Sequence, residues 1–325
     1  LRPLSTIALP KLSEKDHHTI KTGLSQKLFR FLGLTTLWGL LYIAIAPFVY
    51  KTLFPQYIDS LRYSMLYIVF AIISTLGTLP VTALFASRSK KIFKFNIINP
   101  IVNILCILLG GYTFGIWGVI IGRITAGLFS LLLSFEFTQE QILEFVKCKD
   151  DPVYFAKNYV KIVTLDHGLQ TFQPYHFQEK LINNFHKHRF NICKMPRQTG
   201  KSTSAAGYLL WYAMFVPDST ILIAAHKYTG AQEIMQRIRY AYELCPDHIR
   251  AGSTSYNKGS IEFDNGSRIV SQTTTETTGR GMSISLLYCD EFAFVRPTIA
   301  KEFWTSISPT LATGGKAIIT STPNS

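Results

Sequence analysis

Met195-Pro196-Arg197-Gln198-Thr199-Gly200-Lys201-Ser202-Thr203 decides how the second half of this chain is read. A short apolar run, Phe190 to Lys194, precedes it, and a helix-like stretch, Ala205–Phe215, follows. Strand, Gly-Lys-Ser, helix is the context in which a loop can cradle phosphate. Successive backbone N–H groups and a helix N-terminus point at the anion, a lysine reaches its outer oxygens, and a serine hydroxyl can ligate Mg²⁺. The strict pattern G-x-x-x-x-G-K-[ST] has a glycine where this chain has Met195. Gly-Lys-Ser alone is a weak signal, so the reading needs partners elsewhere in the chain.

The partners are carboxylates. Ser285-Leu-Leu-Tyr-Cys-Asp290-Glu291 reads as an apolar strand ending in two acids. At a strand tip Asp290 can hold a metal ion, and Glu291 can polarise an attacking water. Thr220–Ala225 reads as a buried parallel strand. Tyr256–Val270 reads as a hairpin turning at Asp264-Asn265-Gly266. Lys316 to Asn324 is a strand running into a polar Thr-Pro-Asn turn. Upstream, Thr138–Gln141 has a helix-capping pattern, Ile142–Lys147 continues as a short helix, and Asp151–Val163 reads as a second. Phe172–Phe185 enters a third, carrying Phe177 and Gln178. An aromatic ring beside a glutamine amide can stack on adenine and read its edge. Strands alternating with helices predict an α/β fold, a parallel sheet flanked by helices, with its ligand at the carboxyl ends of the strands.

The first 135 residues have a different character. The chain is 47% apolar with a net charge of +13 and a mean hydropathy of +0.18. Residues 1–137 hold 13 Lys and Arg against 4 Asp and Glu; the remainder holds 20 against 16. Most of the basic excess therefore flanks apolar runs, which makes it a membrane-topology signal and weak evidence for nucleic acid. Phe31–Tyr50, Met65–Ser87, Asn96–Tyr112 and Phe114–Phe135 are four apolar runs, each about long enough to cross ~30 Å of hydrocarbon. They contain Pro47, Pro80 and Pro100, which membrane helices tolerate. Arg123 is the charge inside a run, expected to snorkel or to face a polar cavity. Lys11, Lys15, Lys21, Lys27 and Arg30 precede the first run, and Arg88, Lys90, Lys91 and Lys94 lie between the second and third. Positive-inside counting then predicts an all-α four-helix transmembrane segment with both ends cytoplasmic. Cys106, Cys148, Cys193, Cys245 and Cys289 lack C-x-x-C spacing, which argues against a disulfide framework or a zinc site.

Residues 138–325 resemble the ATPase domain of the large terminase of tailed bacteriophages, of the myovirus type. The likeness lies in Tyr154–Tyr159, Cys193–Ser202, Asn257–Glu262, Gly279-Arg-Gly281, Tyr288–Phe294 and Ser321-Thr-Pro-Asn324. That family is known for phosphate loops without the first glycine, so Met195 fits it. The resemblance implies an α/β P-loop NTPase using ATP and Mg²⁺. In it Gln198, Thr199, Gly200, Lys201, Ser202 and Thr203 form the phosphate loop, with Ser202 and Asp290 on the metal and Glu291 orienting water. Arg197 would stabilise transition-state charge, Phe177 and Gln178 would bind adenine, and Ser321, Thr322 and Asn324 would couple hydrolysis to DNA movement. The implied partners are double-stranded DNA, a portal ring with a small terminase subunit, and further copies of the chain on that portal. The setting implied is the host cytoplasm. The family's nuclease domain would lie beyond Ser325, so cleavage is not expected from these residues.

Residues 1–135 resemble, more loosely, the C-terminal part of O-antigen-type polysaccharide flippases. The likeness is in Phe48–Tyr57, Ser87–Lys91, Asn96–Asn103 and Gly115-Ile-Trp-Gly118. It implies a lipid bilayer as partner and, as the alternative function, a fragment of a lipid-linked oligosaccharide transporter. The chain opens on Leu1 without a signal peptide and stops straight after a motif, so both ends are expected to be cuts. With no polar linker near Ser134–Thr138, the expectation is a fusion of two unrelated fragments, 1–135 and 138–325, of which the ATPase half retains a complete centre.

Overall fold

The computed structural model describes residues 17–86, 90–164, 166–275, 278–279 and 281–323. Its contacts divide the chain into two compact units, Leu1–Val146 and Lys147–Ser325.

In the first unit, helix α1 (His17–Leu53) passes through a 3₁₀ turn at Pro55–Ser60 into α2 (Leu61–Ala86), and α3 spans Lys90–Asp150. Helix α3 is broken at Gly115, whose φ of 59° and ψ of −136° suit a residue without Cβ. There the chain folds back on itself. A Cβ on Gly110 would stand 2.1 Å from the Gly118 carbonyl oxygen, and one on Gly122 would stand 2.3 Å from that of Cys106. The two arms thus touch backbone to backbone across a Gly118-x-x-x-Gly122 face, the close approach that small residues permit between apolar helices. These arms are the third and fourth apolar runs of the sequence. Among the described residues, three helices are long and apolar enough to cross a membrane, the third including both arms. Arg123 is half-buried, its guanidinium 5.0 Å from the Phe70 ring centroid and its Nη1 3.5 Å from Asn103 Oδ1.

Three sequence expectations need correction. Thr138 does not cap a helix; it lies inside α3 and donates its hydroxyl to the Ser134 carbonyl at 2.8 Å. No glycine or proline interrupts residues 128–151, so the helix runs on until Pro152 disfavours it. Asp151 then caps α4 (Pro152–Tyr159), accepting from Val153 N at 2.8 Å with proline in the first turn. Second, α4 stops at Tyr159 and does not reach Val163, because the β-branched run Val160, Ile162, Val163, Thr164 prefers extended backbone. It forms β1 (Lys161–Thr164), paired antiparallel with β2 (Gly168–Thr171).

The third correction concerns the main sheet, which has seven strands: β3 (Phe190–Lys194), β4 (Thr220–Ala225), β5 (Ser253–Tyr256), β6 (Ser260–Phe263), β7 (Arg268–Thr273), β8 (Leu286–Asp290) and β9 (Lys316–Ser321). Their order is β3-β9-β8-β4-β7-β6-β5. The first five in that order run parallel, while β6 and β5 are antiparallel, so the sheet is mixed. The turn at Asp264–Ser267 is too short for a parallel crossover, and the expected hairpin gains Ser253–Tyr256 as a third strand. Helices α5 (His176–Lys187), α6 (Lys201–Phe215), α7 (Tyr228–Glu243) and α8 (Pro297–Leu311) complete the unit. Ile221, Leu222, Ile223 and Ala224 of β4 are all fully buried, as a central parallel strand covered on both faces must be. Leu222, Leu287, Phe303, Ile307 and Leu311 form the core beside it. The carboxyl ends of β3, β9, β8 and β4 then lie side by side, where a ligand crevice is expected.

The close helix crossing can be tested by paired substitutions. A Cβ on Gly118 would lie 1.8 Å from the Gly110 carbonyl oxygen, whereas one on Gly77 meets nothing within 4 Å. Gly118→Ala is expected to destabilise the first unit by about 1–3 kcal/mol, the usual overpacking cost. Gly77→Ala is expected to leave it unchanged or firmer. Equal thermal unfolding midpoints for both variants, followed by circular dichroism of the full chain in detergent, would refute the crossing.

Candidate active site

The site begins where β3 ends. Met195 N donates to the Ser321 carbonyl at 3.0 Å, tying the start of the loop to the end of β9. The loop then turns through two left-handed residues, Gln198 (φ 62°) and Gly200 (φ 73°), the second being the N-cap of α6. Met195 is not among the positive-φ residues, so the local backbone accepts a side chain where the strict motif has glycine. Gly200 has no such freedom: a Cβ there would lie 2.3 Å from Gln178 Nε2. The N-terminus of α6 has no side-chain cap hydrogen bond among the described residues. Its first N–H groups are therefore open to an anion, and the helix dipole favours one.

Gln178 sits behind this loop. It is buried, donates Nε2 to the Thr199 carbonyl at 2.8 Å, and accepts from Tyr175 N through Oε1 at 2.8 Å. Its amide braces the loop and caps α5. Phe177 is exposed and stacks on Tyr175, ring centroids 5.8 Å apart.

The two acids occupy different environments. Asp290, at the tip of β8, accepts from Tyr288 Oη at 3.0 Å and from Thr320 Oγ1 at 2.9 Å. Burial pushes its carboxyl above the usual range and the Glu291 charge adds to that, against the two hydrogen bonds and Lys201. A buried carboxylate of this kind gains from a cation. Ser202, the second residue of α6, lines the cleft. Carboxylate and hydroxyl oxygens are the donor types that suit a hard ion such as Mg²⁺; Asp290 lies behind the cleft wall. No cluster of three or more His, Cys, Asp or Glu forms a metal cage among the described residues.

Glu291 stands just past the strand in a left-handed conformation, φ 50° and ψ 42°. Its Oε1 accepts from Lys201 Nζ at 2.6 Å. Its Oε2 accepts from Thr322 N and Thr322 Oγ1, both at 2.9 Å, and from Ser321 Oγ at 3.4 Å. Burial opposes ionisation, but the bonds from Lys201 and Thr322 outweigh it and hold the carboxyl below its ordinary range. A strained, bulky residue fixed by four donors is the pattern seen where backbone strain is stored at a working site.

A cleft of about 610 Å³ opens beside these groups. Arg197, Gln198, Gly200, Lys201, Ser202 and Thr203 form one wall, with Glu291 and Phe294 from beyond β8. The structure thus brings together Arg197, Gln198, Gly200, Lys201, Ser202, Thr203 and Glu291, and sets Ser321 and Thr322 against Glu291. It does not bring Phe177, Gln178, Thr199 or Asp290 to the cleft wall. Asn324 lies outside the described residues. His226 and Arg237 complete the lining and were missed in the sequence. His226 follows β4 directly, so the carboxyl-end rule could have found it. Arg237 lies on α7 and carries no local signal. Tyr288 could have been found from its i, i+2 relation to Asp290, which puts both on one face of β8.

The fold and site thus define a mixed α/β domain with an anion-accepting strand–loop–helix facing two strand-tip acids. Residues 192–325 match the family model for the N-terminal part of the terminase large subunit, T4likevirus type. Among solved structures, the chain is similar to the large terminase ATPase domain of Thermus phage P74-26, with 21% identity and a TM-score of 0.37, covering 47% of this chain and 66% of that one. It is also similar to the large terminase of bacteriophage HK97, with 19% identity and a TM-score of 0.43, covering 53% of this chain and 37% of that one. A thermophilic-bacteriophage large terminase in complex with ADP matches at 12% identity and a TM-score of 0.36, covering 46% of this chain and 38% of that one. The match thus spans less than two thirds of each of these proteins.

The environment of Glu291 sets a pH dependence. Its folded pKa is lowered from 4.5, so its contribution to stability is present above that pH and is lost as pH falls through the folded value. Glu291→Gln is expected to flatten the acid limb of the unfolding midpoint against pH below 4.5. An acid limb as steep as that of the parent chain would remove Glu291 from the ion pair.

Proposed function

We propose that the unit Lys147–Ser325 hydrolyses ATP as the ATPase part of a viral DNA-packaging motor of the large-terminase type. The observation that carries this reading is the convergence of Lys201 and Thr322 on one carboxylate, Glu291. A lysine at the head of a helix, beside open backbone N–H groups, is suited to the outer phosphates. Its present partner is Glu291, so phosphate oxygens would compete for Nζ and leave Oε1 free to accept a proton from water. Thr322 keeps that carboxylate aimed. Arg197, exposed at the mouth, supplies charge to a departing phosphoryl group. Mg²⁺ held by Ser202 and Asp290 would neutralise phosphate charge. The family match over residues 192–325 supports the same reading.

Glu291 is bonded to the residues that close β9, so a change at the γ-phosphate has a direct route to the segment after Ser321. This is the proposed link from hydrolysis to movement of double-stranded DNA. A portal ring, a small subunit and further copies of this chain are the proposed partners, and the host cytoplasm the proposed setting.

Lys201→Ala and Glu291→Gln are each expected to abolish ATP turnover by the purified full chain. Arg197→Ala is expected to lower kcat by roughly 100-fold or more, as loss of a transition-state donor does, with nucleotide affinity kept within about threefold. Unchanged turnover in Glu291→Gln would overturn the site, and equal loss of binding and turnover in Arg197→Ala would make that arginine a ground-state contact.

A second proposal concerns the first unit, whose helices expose Leu37, Trp38, Leu108 and Leu109. We infer that they insert in a bilayer with both ends on the cytoplasmic side. The transporter-fragment alternative draws on the loose sequence patterns alone. Expressed in bacteria, the full chain is expected to stay in the membrane pellet through alkaline carbonate extraction; release into the supernatant would refute insertion.

A further inference from the structure

Three consecutive hydroxyl residues stand at the end of β9, and between them they meet both acids. Ser321 and Thr322 hold Glu291 Oε2. Thr320 belongs to the other acid, donating Oγ1 to Asp290 Oδ1 at 2.9 Å.

The contacts at Asp290 are one-sided. Tyr288 Oη donates to Oδ1 at 3.0 Å, Thr320 Oγ1 donates to the same atom, and the two hydroxyls stand 3.0 Å apart. Oδ2 accepts no hydrogen bond among the described residues. Tyr288 and Thr320 are fully buried, whereas Asp290 is half-buried. Two buried hydroxyls could satisfy each other with a single bond, because each carries one proton and can also accept. Here both also reach the carboxylate, and both reach one oxygen of it. The sheet fixes this arrangement. Parallel register sets Thr320 opposite Asp290, and the two-residue period of a strand puts Tyr288 on the same face of β8 as Asp290. An aspartate carboxyl turns easily about its last bond when nothing holds it. Anchored twice through Oδ1, it presents Oδ2 in one direction. Carboxylates that ligate metal ions are commonly held by such outer hydrogen bonds.

We infer that Tyr288 and Thr320 are positioning residues for the cation: they fix Asp290 through Oδ1 and reserve Oδ2 for the metal ion. The inference rests on the reading of Asp290 as a metal ligand proposed above. It gives the end of β9 a second task. One short segment, Thr320 to Thr322, sets the metal-holding acid and the water-polarising acid together.

The test measures equilibrium binding of ATP by the full chain, once with Mg²⁺ and once in EDTA. The variants are Tyr288→Phe, Thr320→Val and Thr320→Ser. The parent chain is expected to bind ATP more tightly with Mg²⁺. Tyr288→Phe and Thr320→Val should each weaken binding with Mg²⁺ by about tenfold, the lower end of what losing a bond behind a metal ligand costs. Their binding in EDTA should equal the parent's, which also shows that they are folded; either variant that folds decides the matter. Thr320→Ser keeps a hydroxyl and should behave as the parent under both conditions. Three results overturn the inference: parental binding with Mg²⁺ in Tyr288→Phe and Thr320→Val, an equal loss with and without Mg²⁺, or a loss in Thr320→Ser as large as in Thr320→Val. A parent chain that binds ATP equally well with Mg²⁺ and in EDTA would instead remove Asp290 as a metal ligand, and this inference with it.

Discussion

The hydrogen-bonded ion pair between Lys201 and Glu291 is the contact on which the second unit is organised. It joins the first residue of α6 to the turn after β8, and through Thr322 to the end of β9. The Lys201 side chain is 8% exposed and that of Glu291 32%. Removing the acid would leave a buried ammonium without its partner, which is far costlier than losing a surface pair. The Lys157–Glu179 bridge shows the contrast, with side chains 40% and 27% exposed and a worth of about 0–1 kcal/mol.

That pair can form only because the sheet order places β9 between β3 and β8. The parallel register sets Asp290 opposite Thr320 and Lys194 opposite Ser321. The loop, Glu291 and the Ser321–Thr322 segment therefore meet at one edge. The carboxyl-end crevice of a parallel sheet is used in full, and the antiparallel strands β6 and β5 lie at the far side of the sheet, away from the chemistry. Burial then divides the labour of the acids. Asp290 is pushed toward its neutral form by burial, while Glu291 is held ionised by its donors.

Much of this was legible in the chain. The strand–loop–helix around Lys201 is encoded locally, since an apolar run, a glycine able to take positive φ and a helix-forming stretch each act within a few residues. The two acids were legible because an apolar strand ending in charge has one good solution, burial up to its tip. The four apolar runs were likewise plain, and Gly115 marks the reversal between the last two. Boundaries failed where local signals competed. Thr138 carries a capping pattern, yet an uninterrupted helix absorbs it; residues 160–163 read as the end of the helix begun at Asp151, yet β-branching and a partner strand take them.

The sequence by itself determined the kinds of element, the strand–loop–helix around Lys201, the two carboxylates and the apolar character of the first unit. These depend on short-range preference and on composition. The tertiary structure alone decided that Gln178 braces the loop and that Arg237 and His226 face the cleft. Each of these is a contact between segments far apart in the chain, and its geometry follows from sheet order and register, which no local pattern encodes.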